Sequence, residues 1–240
     1  MKPLKRYFTA QIQRAASNVW ESLDLSAKAQ SISPLYDMIS SYPIRTSEIT
    51  DLTFQSAAYF LSTETGQRVP IPENGNQPLA GFLFIQRYRS AFYGCILVEK
   101  FDPIVRRRFS AAHELGHYLL HFLPMLDSQP IARDMILAEG LTYSNEIPEE
   151  LPTGKLALIQ SPEIAPEFNF VGNDQVEREA NQFAAEILMP EVRCMELYQL
   201  FSEKYGIQRP VLIKRLATEF LVSAEAMKWR LMALKLHPYQ

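Results

Sequence analysis

Two histidines and a glutamate stand in the order His-Glu-x-x-His at His113, Glu114 and His117. On an α-helix the two histidines are one turn apart, so both rings point from the same face and can bind one Zn²⁺. Glu114 follows the first histidine directly, where its carboxylate can reach a water molecule at the metal. The pattern therefore predicts a metal-dependent hydrolase. The alternative is a buried helix that carries two histidines by chance.

A catalytic zinc site usually has three protein ligands and one open position. In one class the third ligand is a histidine six residues after the second, but Leu123 stands there, and Leu120 replaces the required glycine. The alternative is a carboxylate from a second helix. A second amphipathic helix is predicted at residues 176–189, and Glu177 lies at the edge of its apolar stripe. We expect Glu177 to be the third ligand, and the alternative is that it is a surface glutamate.

The sequence also predicts the surroundings or role of other polar residues near the expected ligands. Glu179 and Glu186 fall opposite the apolar stripe of the second helix, so we expect them to be solvated. Asn181 follows the expected carboxylate ligand by one turn, where it could hydrogen-bond a ligand histidine and fix its tautomer. His121 is about 12 Å along the axis from the first histidine. We expect His121 to support or pack beside the site without binding the same metal.

Helices and one β-hairpin are predicted before the metal helix. The hairpin comes from two runs rich in β-branched and aromatic residues, 79–88 and 91–100. An exposed edge of this hairpin could pair with an extended peptide. Asp102 and Pro103 predict the start of the metal helix, as a capping carboxylate and a proline at the first helical position. Apolar spacing also predicts helices over residues 6–30, 33–42 and 46–65.

The composition is that of a soluble globular protein, with 47% hydrophobic and 21% charged residues in 240. Apolar runs are too short to cross a bilayer and no signal peptide is seen, so we expect a cytoplasmic protein with no membrane partner. Cys95 and Cys194 are expected to be free thiols, as in a reducing cytosol. Charge is uneven: residues 134–191 carry 12 acidic and 2 basic side chains, whereas residues 201–240 carry 3 acidic and 7 basic ones.

Two longer segments resemble the signatures of the ImmA/IrrE-type zinc metallopeptidases. Residues 108–121, Arg-Phe-Ser-Ala-Ala-His-Glu-Leu-Gly-His-Tyr-Leu-Leu-His, are similar to the family's Arg-Phe-Thr-x-Ala-His-Glu-Leu-Gly-His-x-Leu-Leu-His segment. Residues 177–190, Glu-Arg-Glu-Ala-Asn-Gln-Phe-Ala-Ala-Glu-Ile-Leu-Met-Pro, resemble its second signature. The resemblance implies a gluzincin-like site in which the two histidines and Glu177 bind Zn²⁺ and Glu114 is the general base.

With the predicted hairpin and helices, the resemblance implies an α+β fold. It would have a zincin-like core, with a small β-sheet beside the active-site helix, and a helical C-terminal module. We predict a zinc metallopeptidase domain at residues 1–190 and the C-terminal module at residues 191–240. Residues 124–175 hold six prolines and much of the acidic excess, and are predicted to be an insertion. Helical pieces are predicted within it at 131–141 and 155–159.

The C-terminal module is predicted to contain three helices. Its pattern over residues 216–231 is typical of a helix-turn-helix, a motif that can place a helix in the DNA major groove. The net charge of +4 over residues 201–240 is low for that task. We therefore expect these helices to pack on the peptidase or dock a partner rather than to bind DNA.

The predicted function is a zinc endopeptidase that cleaves a protein substrate, and the resemblance implies a helix-turn-helix repressor as that substrate. One alternative is a non-catalytic regulator that binds a repressor or DNA, although binding alone would not need Glu114. A second is a metal hydrolase that acts on something other than protein. The side chain that stabilises the oxyanion is not identified by the pattern. Tyr118, Tyr143 and Tyr205 are the available phenols.

Overall fold

The fold combines helices with one small β-sheet, which confirms the predicted α+β class. In the computed structural model of the chain the described residues are 9–24, 31–66, 68–69, 75–88, 91–124, 136–142, 174–205 and 209–236. Their helices are α1 (Thr9–Glu21), α2 (Leu35–Ser40), α3 (Phe54–Thr65), α4 (Ile104–His117), α5 (Asp174–Leu188), α6 (Glu191–Tyr205), α7 (Arg209–Phe220) and α8 (Ala224–Ala233). Their strands are β1 (Ile44–Ile49), β2 (Leu79–Tyr88), β3 (Ala91–Glu99) and β4 (Ile136–Thr142).

The sheet has the strand order β1-β3-β2-β4. The predicted hairpin is confirmed, since β2 and β3 pair antiparallel from Gly81 opposite Val98 to Tyr88 opposite Ala91. However, β1 pairs parallel with β3, and β4 pairs antiparallel with β2. Both hairpin strands are therefore interior, and the prediction that the hairpin offers an exposed edge is wrong. Among the described strands, β1 and β4 lie at the two ends.

Both end strands come from segments whose sequence predicts helix. Residues 44–49 form β1, so α3 begins at Phe54, where the Thr53 side chain accepts a hydrogen bond from the backbone N–H of Ser56. Residues 136–142 form β4 within the predicted insertion, which therefore adds one strand to the sheet. In both cases pairing with a long neighbouring strand outweighs a weak local helical preference. The helical piece predicted at residues 155–159 lies outside the described residues.

Side chains alternate across the two central strands and divide the apolar interior into two layers. Phe82 and Leu97 belong to a cluster with α3, whereas Leu83 and Ile96 belong to a cluster with α1, α4 and α5. This period of two is what a strand buried on both faces produces. The sheet is therefore covered by α3 on one face, and its other face supports α4, the helix with the His-Glu-x-x-His pattern.

The C-terminal helices share the larger apolar cluster. Residues of α7 and α8 such as Leu216, Phe220 and Leu231 belong to the same cluster as Leu115 of α4 and Phe183 of α5. The three predicted C-terminal helices are confirmed, while the division of the chain after residue 190 stays a prediction. Nowhere in the described ranges is a helix both long and apolar enough to cross a membrane.

Candidate metal centre

Helix α4 carries the His-Glu-x-x-His pattern through the middle of the molecule. Every residue from Arg108 to His117 is buried, because the sheet covers one side of the helix and α5 covers another. The helix begins at Ile104, and the Pro103 carbonyl accepts the first helical hydrogen bonds. The predicted cap is wrong: the Asp102 carboxylate instead accepts a hydrogen bond from the Arg106 guanidinium, one turn into the helix.

Helix α5 approaches α4 closely because small residues stand at the crossing. A Cβ built on Gly116 would lie 3.2 Å from both the Cα and the carbonyl oxygen of Ala180, and 3.1 Å from Cδ1 of Phe183. A larger residue at Gly116 would push the two helices apart. The Gly116–Ala180 contact therefore sets how near Glu177, one turn before Ala180, comes to the histidines. Sequence reasoning missed this contact, although both residues lie in the two signature segments.

The structure brings His113, His117 and Glu177 together. Their ligating atoms all lie within 4.8 Å of one another. The Nε2 atoms of the two histidines are 2.8 Å apart, and the Glu177 oxygens lie 3.4 Å from His113 Nε2 and 3.6 Å from His117 Nε2. The ligand atoms of a tetrahedral zinc site, with bonds of about 2.0–2.1 Å, are about 3.3 Å apart. The two separations to Glu177 are close to that value, and the histidine pair is tighter.

Asn181 fixes which nitrogen of His113 faces this cluster. Asn181 Oδ1 lies 2.9 Å from His113 Nδ1. An amide oxygen only accepts hydrogen bonds, so Nδ1 carries the proton and donates it to Asn181. In a neutral His113, Nε2 is then unprotonated, and it faces His117 and Glu177 with a free lone pair. This tautomer is the form of imidazole that binds a metal. To fix it through a hydrogen bond is the role predicted for Asn181.

Burial and charge keep the cluster in a form that can bind a cation. Burial, followed by the charge of His117, lowers the pKa of His113, which favours the neutral ring. Burial alone would raise the pKa of Glu177, but the adjacent His113 and His117 rings hold it below its usual value. Neither Glu177 oxygen makes a hydrogen bond of normal geometry in the described structure, although the residue is only 7% exposed.

This donor set fits a zinc ion. Two imidazole nitrogens and one carboxylate oxygen are a known set of catalytic zinc ligands. A buried carboxylate with no hydrogen-bond donor is costly unless a positive charge compensates it. A divalent cation held by His113, His117 and Glu177 would supply that charge.

Glu114 directly follows His113 in α4, and its side chain lies against strand β2. Its side chain is fully buried. A Cβ built on Gly81 of β2 would lie 2.8 Å from Glu114 Oε1 and 3.2 Å from Cβ of Ser110. The carboxylate therefore occupies space that a side chain at Gly81 would fill. Sequence reasoning missed Gly81, because a glycine within a strand has no signature in a single sequence.

The remaining predicted residues lie outside the three-residue cluster. His121 is buried in a π-helical turn, Tyr118–Phe122, with its ring centroid 5.5 Å from that of His117. Burial, followed by the charge of His117, lowers the pKa of His121 to about 3. Tyr118 is buried with its ring edge against Tyr42. Tyr143 and the side chain of Tyr205 are outside the described part of the chain.

The predicted solvation of Glu179 and Glu186 is wrong. Glu179 is 5% exposed and accepts a hydrogen bond from Gln175, and Glu186 is 7% exposed and pairs with Arg230 of α8. The prediction fails because α5 is covered on more than its apolar face: α4, α1 and the C-terminal helices all pack near it.

A buried His-Glu-x-x-His helix joined by a glutamate from a second helix defines a candidate metal centre of the metallopeptidase type. The sequence profile of the peptidase M78 family, described as the IrrE N-terminal-like domain, matches residues 66–153 and 155–232. The chain therefore belongs to this peptidase family, as its two signature segments predict. No curated protein matches the chain significantly.

Proposed function

We propose that the protein is a zinc-dependent endopeptidase with a zincin-like core. The observation that carries the proposal is the buried convergence of His113, His117 and Glu177, with the fully buried Glu114 next to His113 in the sequence. Membership of a peptidase family supports hydrolysis of a peptide bond over that of another substrate. A non-catalytic regulator would not need a fully buried glutamate directly after the first histidine ligand.

The three ligands would hold the metal, and Glu114 would move the proton. Bound zinc supplies Lewis acidity, which lowers the pKa of a water molecule and polarises the scissile carbonyl. Glu114 accepts a proton from the attacking water at a carboxylate oxygen and then delivers it to the nitrogen of the leaving amine. Asn181 keeps Nε2 of His113 unprotonated throughout, because it holds the proton on Nδ1.

The substrate would bind extended along the sheet. Both hairpin strands already have neighbours, so an added strand would pair with β4, which stands at one end of the described sheet. In β2, Gly81 lies opposite Leu141 of β4 and beside Glu114. A peptide paired with β4 would lie about two strand spacings, roughly 10 Å, from β2. Its scissile bond would therefore have to leave the strand and turn towards Glu114, because a general base acts only within hydrogen-bond reach of the attacking water.

We propose a helix-turn-helix repressor as the substrate, on the strength of the resemblance of the two signature segments. The C-terminal helices would pack on the peptidase or dock this partner, since many residues of their helix-turn-helix-like pattern are buried. A cytoplasmic location fits the two cysteines, Cys95 and Cys194, which are both buried and free.

The test compares the zinc-loaded wild type with Glu114→Gln on a proteome-derived peptide library and on purified candidate repressors. We expect the wild type to cleave at defined bonds. The variant should keep one zinc per chain by elemental analysis and lose about 10²–10⁴-fold in rate, which is the usual contribution of a positioned acid–base group. A zinc-loaded wild type that cleaves nothing but binds DNA tightly would contradict the proposal.

A further inference from the structure

Strand β2 presents a row of residues toward α4, and this row ends in a glycine. Leu83 and Ile85 fill the space between strand and helix, since both belong to the cluster that contains α4. By the period of two, Gly81 is the next member of the row, and its missing Cβ points at Glu114 and Ser110 of α4. The row therefore changes from large apolar side chains to none at the position where the Glu114 carboxylate lies.

Backbone conformation does not explain this glycine. Among the described glycines only Gly66 has a positive φ, so Gly81 adopts a conformation that other residues also adopt. The pairing of β2 with β4 does shift register between Leu79 and Gly81. Such irregularities are common next to active sites, where they aim one residue at a new target. The reason for glycine at this position is the space beyond its Cα.

We infer that Gly81 is a positioning residue for Glu114: its missing side chain is the space that holds the carboxylate in its catalytic place. This inference rests on the proposed function for its link to activity, but the packing of Gly81 on Glu114 is independent of that function. A methyl at Gly81 would stand 2.8 Å from Glu114 Oε1 and 3.3 Å from its Cγ. Carbon and oxygen atoms do not approach that closely without a bond, so one of them must move.

The carboxylate is the group that moves. Ser110 Cβ, at 3.2 Å from the added methyl, is fixed to the helix backbone, and the strand is held by partners on both sides. Glu114 Oε1 is the far end of a flexible side chain, which can rotate at small cost. Gly81→Ala is therefore expected to leave the fold and the ligands in place and to displace the general base. A displacement of about 1 Å can lower a rate about 100-fold.

The sheet offers a matched control. Gly94 of β3 belongs to the same face, and the three atoms nearest to a Cβ there are Cγ1 and Cγ2 of Ile44, at 3.1 and 3.6 Å, and the Phe84 carbonyl oxygen, at 3.6 Å. Gly94→Ala therefore introduces the same methyl on the same sheet, with somewhat milder crowding that falls on Ile44. We expect Gly94→Ala to keep kcat, and Gly81→Ala to lower kcat about 100-fold with little change in KM and one zinc per chain.

A double-mutant cycle tests the packing without any assay of activity. The melting temperature is measured for the wild type, Gly81→Ala, Glu114→Ala and the double variant, each loaded with zinc. In the wild-type background, Gly81→Ala should lower the melting temperature. In the Glu114→Ala background, the same substitution should lower it by less than half as much, because the carboxylate that the methyl crowds is absent. The same cycle built on Gly94→Ala should be additive.

The outcomes separate this inference from the proposed function. Equal destabilisation by Gly81→Ala with and without Glu114, or an unchanged kcat in Gly81→Ala, would overturn the role of Gly81. If Gly81→Ala fails to fold but the double variant with Glu114→Ala folds, the coupling is upheld in its strongest form. A wild type that cleaves nothing would remove the proposed function, and the temperature cycle would still decide whether Gly81 holds Glu114.

Discussion

Glu177 and Glu186 lie on the same helix and are equally buried at 7% exposure. Their negative charges are compensated by different kinds of partner. Glu186 accepts two hydrogen bonds from the Arg230 guanidinium, at 2.8 and 2.6 Å, and lies 3.3 Å from the Gln13 side-chain nitrogen. Among the described residues, the ion-pair contacts of Glu177 are to the two imidazoles of His113 and His117. The protein itself supplies the positive charge at one carboxylate, and an added cation fits the other.

The comparison teaches what distinguishes a structural buried charge from a site. A bidentate Arg–carboxylate pair satisfies both oxygens and holds two elements together, here α5 and α8, with Arg230 Nε also donating to the Met189 carbonyl. At Glu177 the neighbours are two imidazoles that can each offer a lone pair to a metal, and Asn181 sets the tautomer of one of them, His113, through its Nδ1. Burial alone does not separate the two cases, whereas the partners of each carboxylate do.

The largest effect is expected for zinc binding when a residue of the His113–His117–Glu177 cluster is replaced. Glu177→Ala should abolish stoichiometric zinc binding, because the loss of one of a few ligands removes about 4 kcal/mol, or roughly a thousand-fold in Kd. Zinc content after dialysis and Kd by chelator competition are the measurements. Glu179→Ala is the matched control: it removes a buried carboxylate on the same helix that lies outside the cluster, and should retain one zinc per chain. Unchanged occupancy in Glu177→Ala would refute the third ligand.

The second largest effect is expected for the stability of the fold when the Glu186–Arg230 pair is broken. Glu186→Ala should lower the free energy of unfolding by about 3 kcal/mol, since it leaves the Arg230 guanidinium buried without a countercharge. Zinc stoichiometry should not change. Denaturant unfolding at neutral pH gives the value.

A double variant sharpens this prediction. Glu186→Leu with Arg230→Met removes both charges and keeps apolar volume, so it should be more stable than Glu186→Ala, as is common when a buried ion pair is replaced as a unit. If the double variant is less stable than Glu186→Ala, the prediction is contradicted. The Glu186–Arg230 pair would then stabilise the fold by more than an apolar pair of similar volume does.

The chemistry of the site could be predicted from the sequence, and much of its packing could not. The spacing of His113, Glu114 and His117 and the helical position of Glu177 predict a converging set, because one turn of helix fixes which side chains share a face. Solvation of Glu186 was predicted by the same rule and is wrong, because its environment depends on Arg230, which is 44 residues away. A helical pattern describes one element and contains no information about its neighbours.

The sheet illustrates the same limit. The hairpin of β2 and β3 is local, so its two apolar runs and short connection predict it. Strands β1 and β4 pair with it over long separations in sequence, and their own residues predict helix more than strand. The space at Gly81 is of this kind too: it exists only because a strand and a helix that are distant in sequence pack face to face.

The smallest effect is expected behind the cluster, at Asn181. Asn181→Ala should weaken zinc binding about 10–100-fold, which is typical for the loss of a hydrogen bond to a ligand histidine. Without the acceptor, Nδ1 of His113 no longer fixes its proton, and the tautomer with a protonated Nε2 becomes accessible. Asn181→Asp keeps an oxygen at the same place and should retain the affinity. Chelator competition at neutral pH measures both.

This pair of variants also tests the contrast between Glu177 and Glu186 of α5. If Asn181 acts by holding a tautomer, the alanine variant weakens zinc binding while the aspartate variant does not, and neither alters the Glu186–Arg230 pair. If both variants lose affinity equally, Asn181 only fills space between α4 and α5, and the orientation of His113 must have another cause. The difference in zinc affinity between alanine and aspartate therefore decides whether the cluster is held from behind by a hydrogen bond, as the 2.9 Å contact indicates.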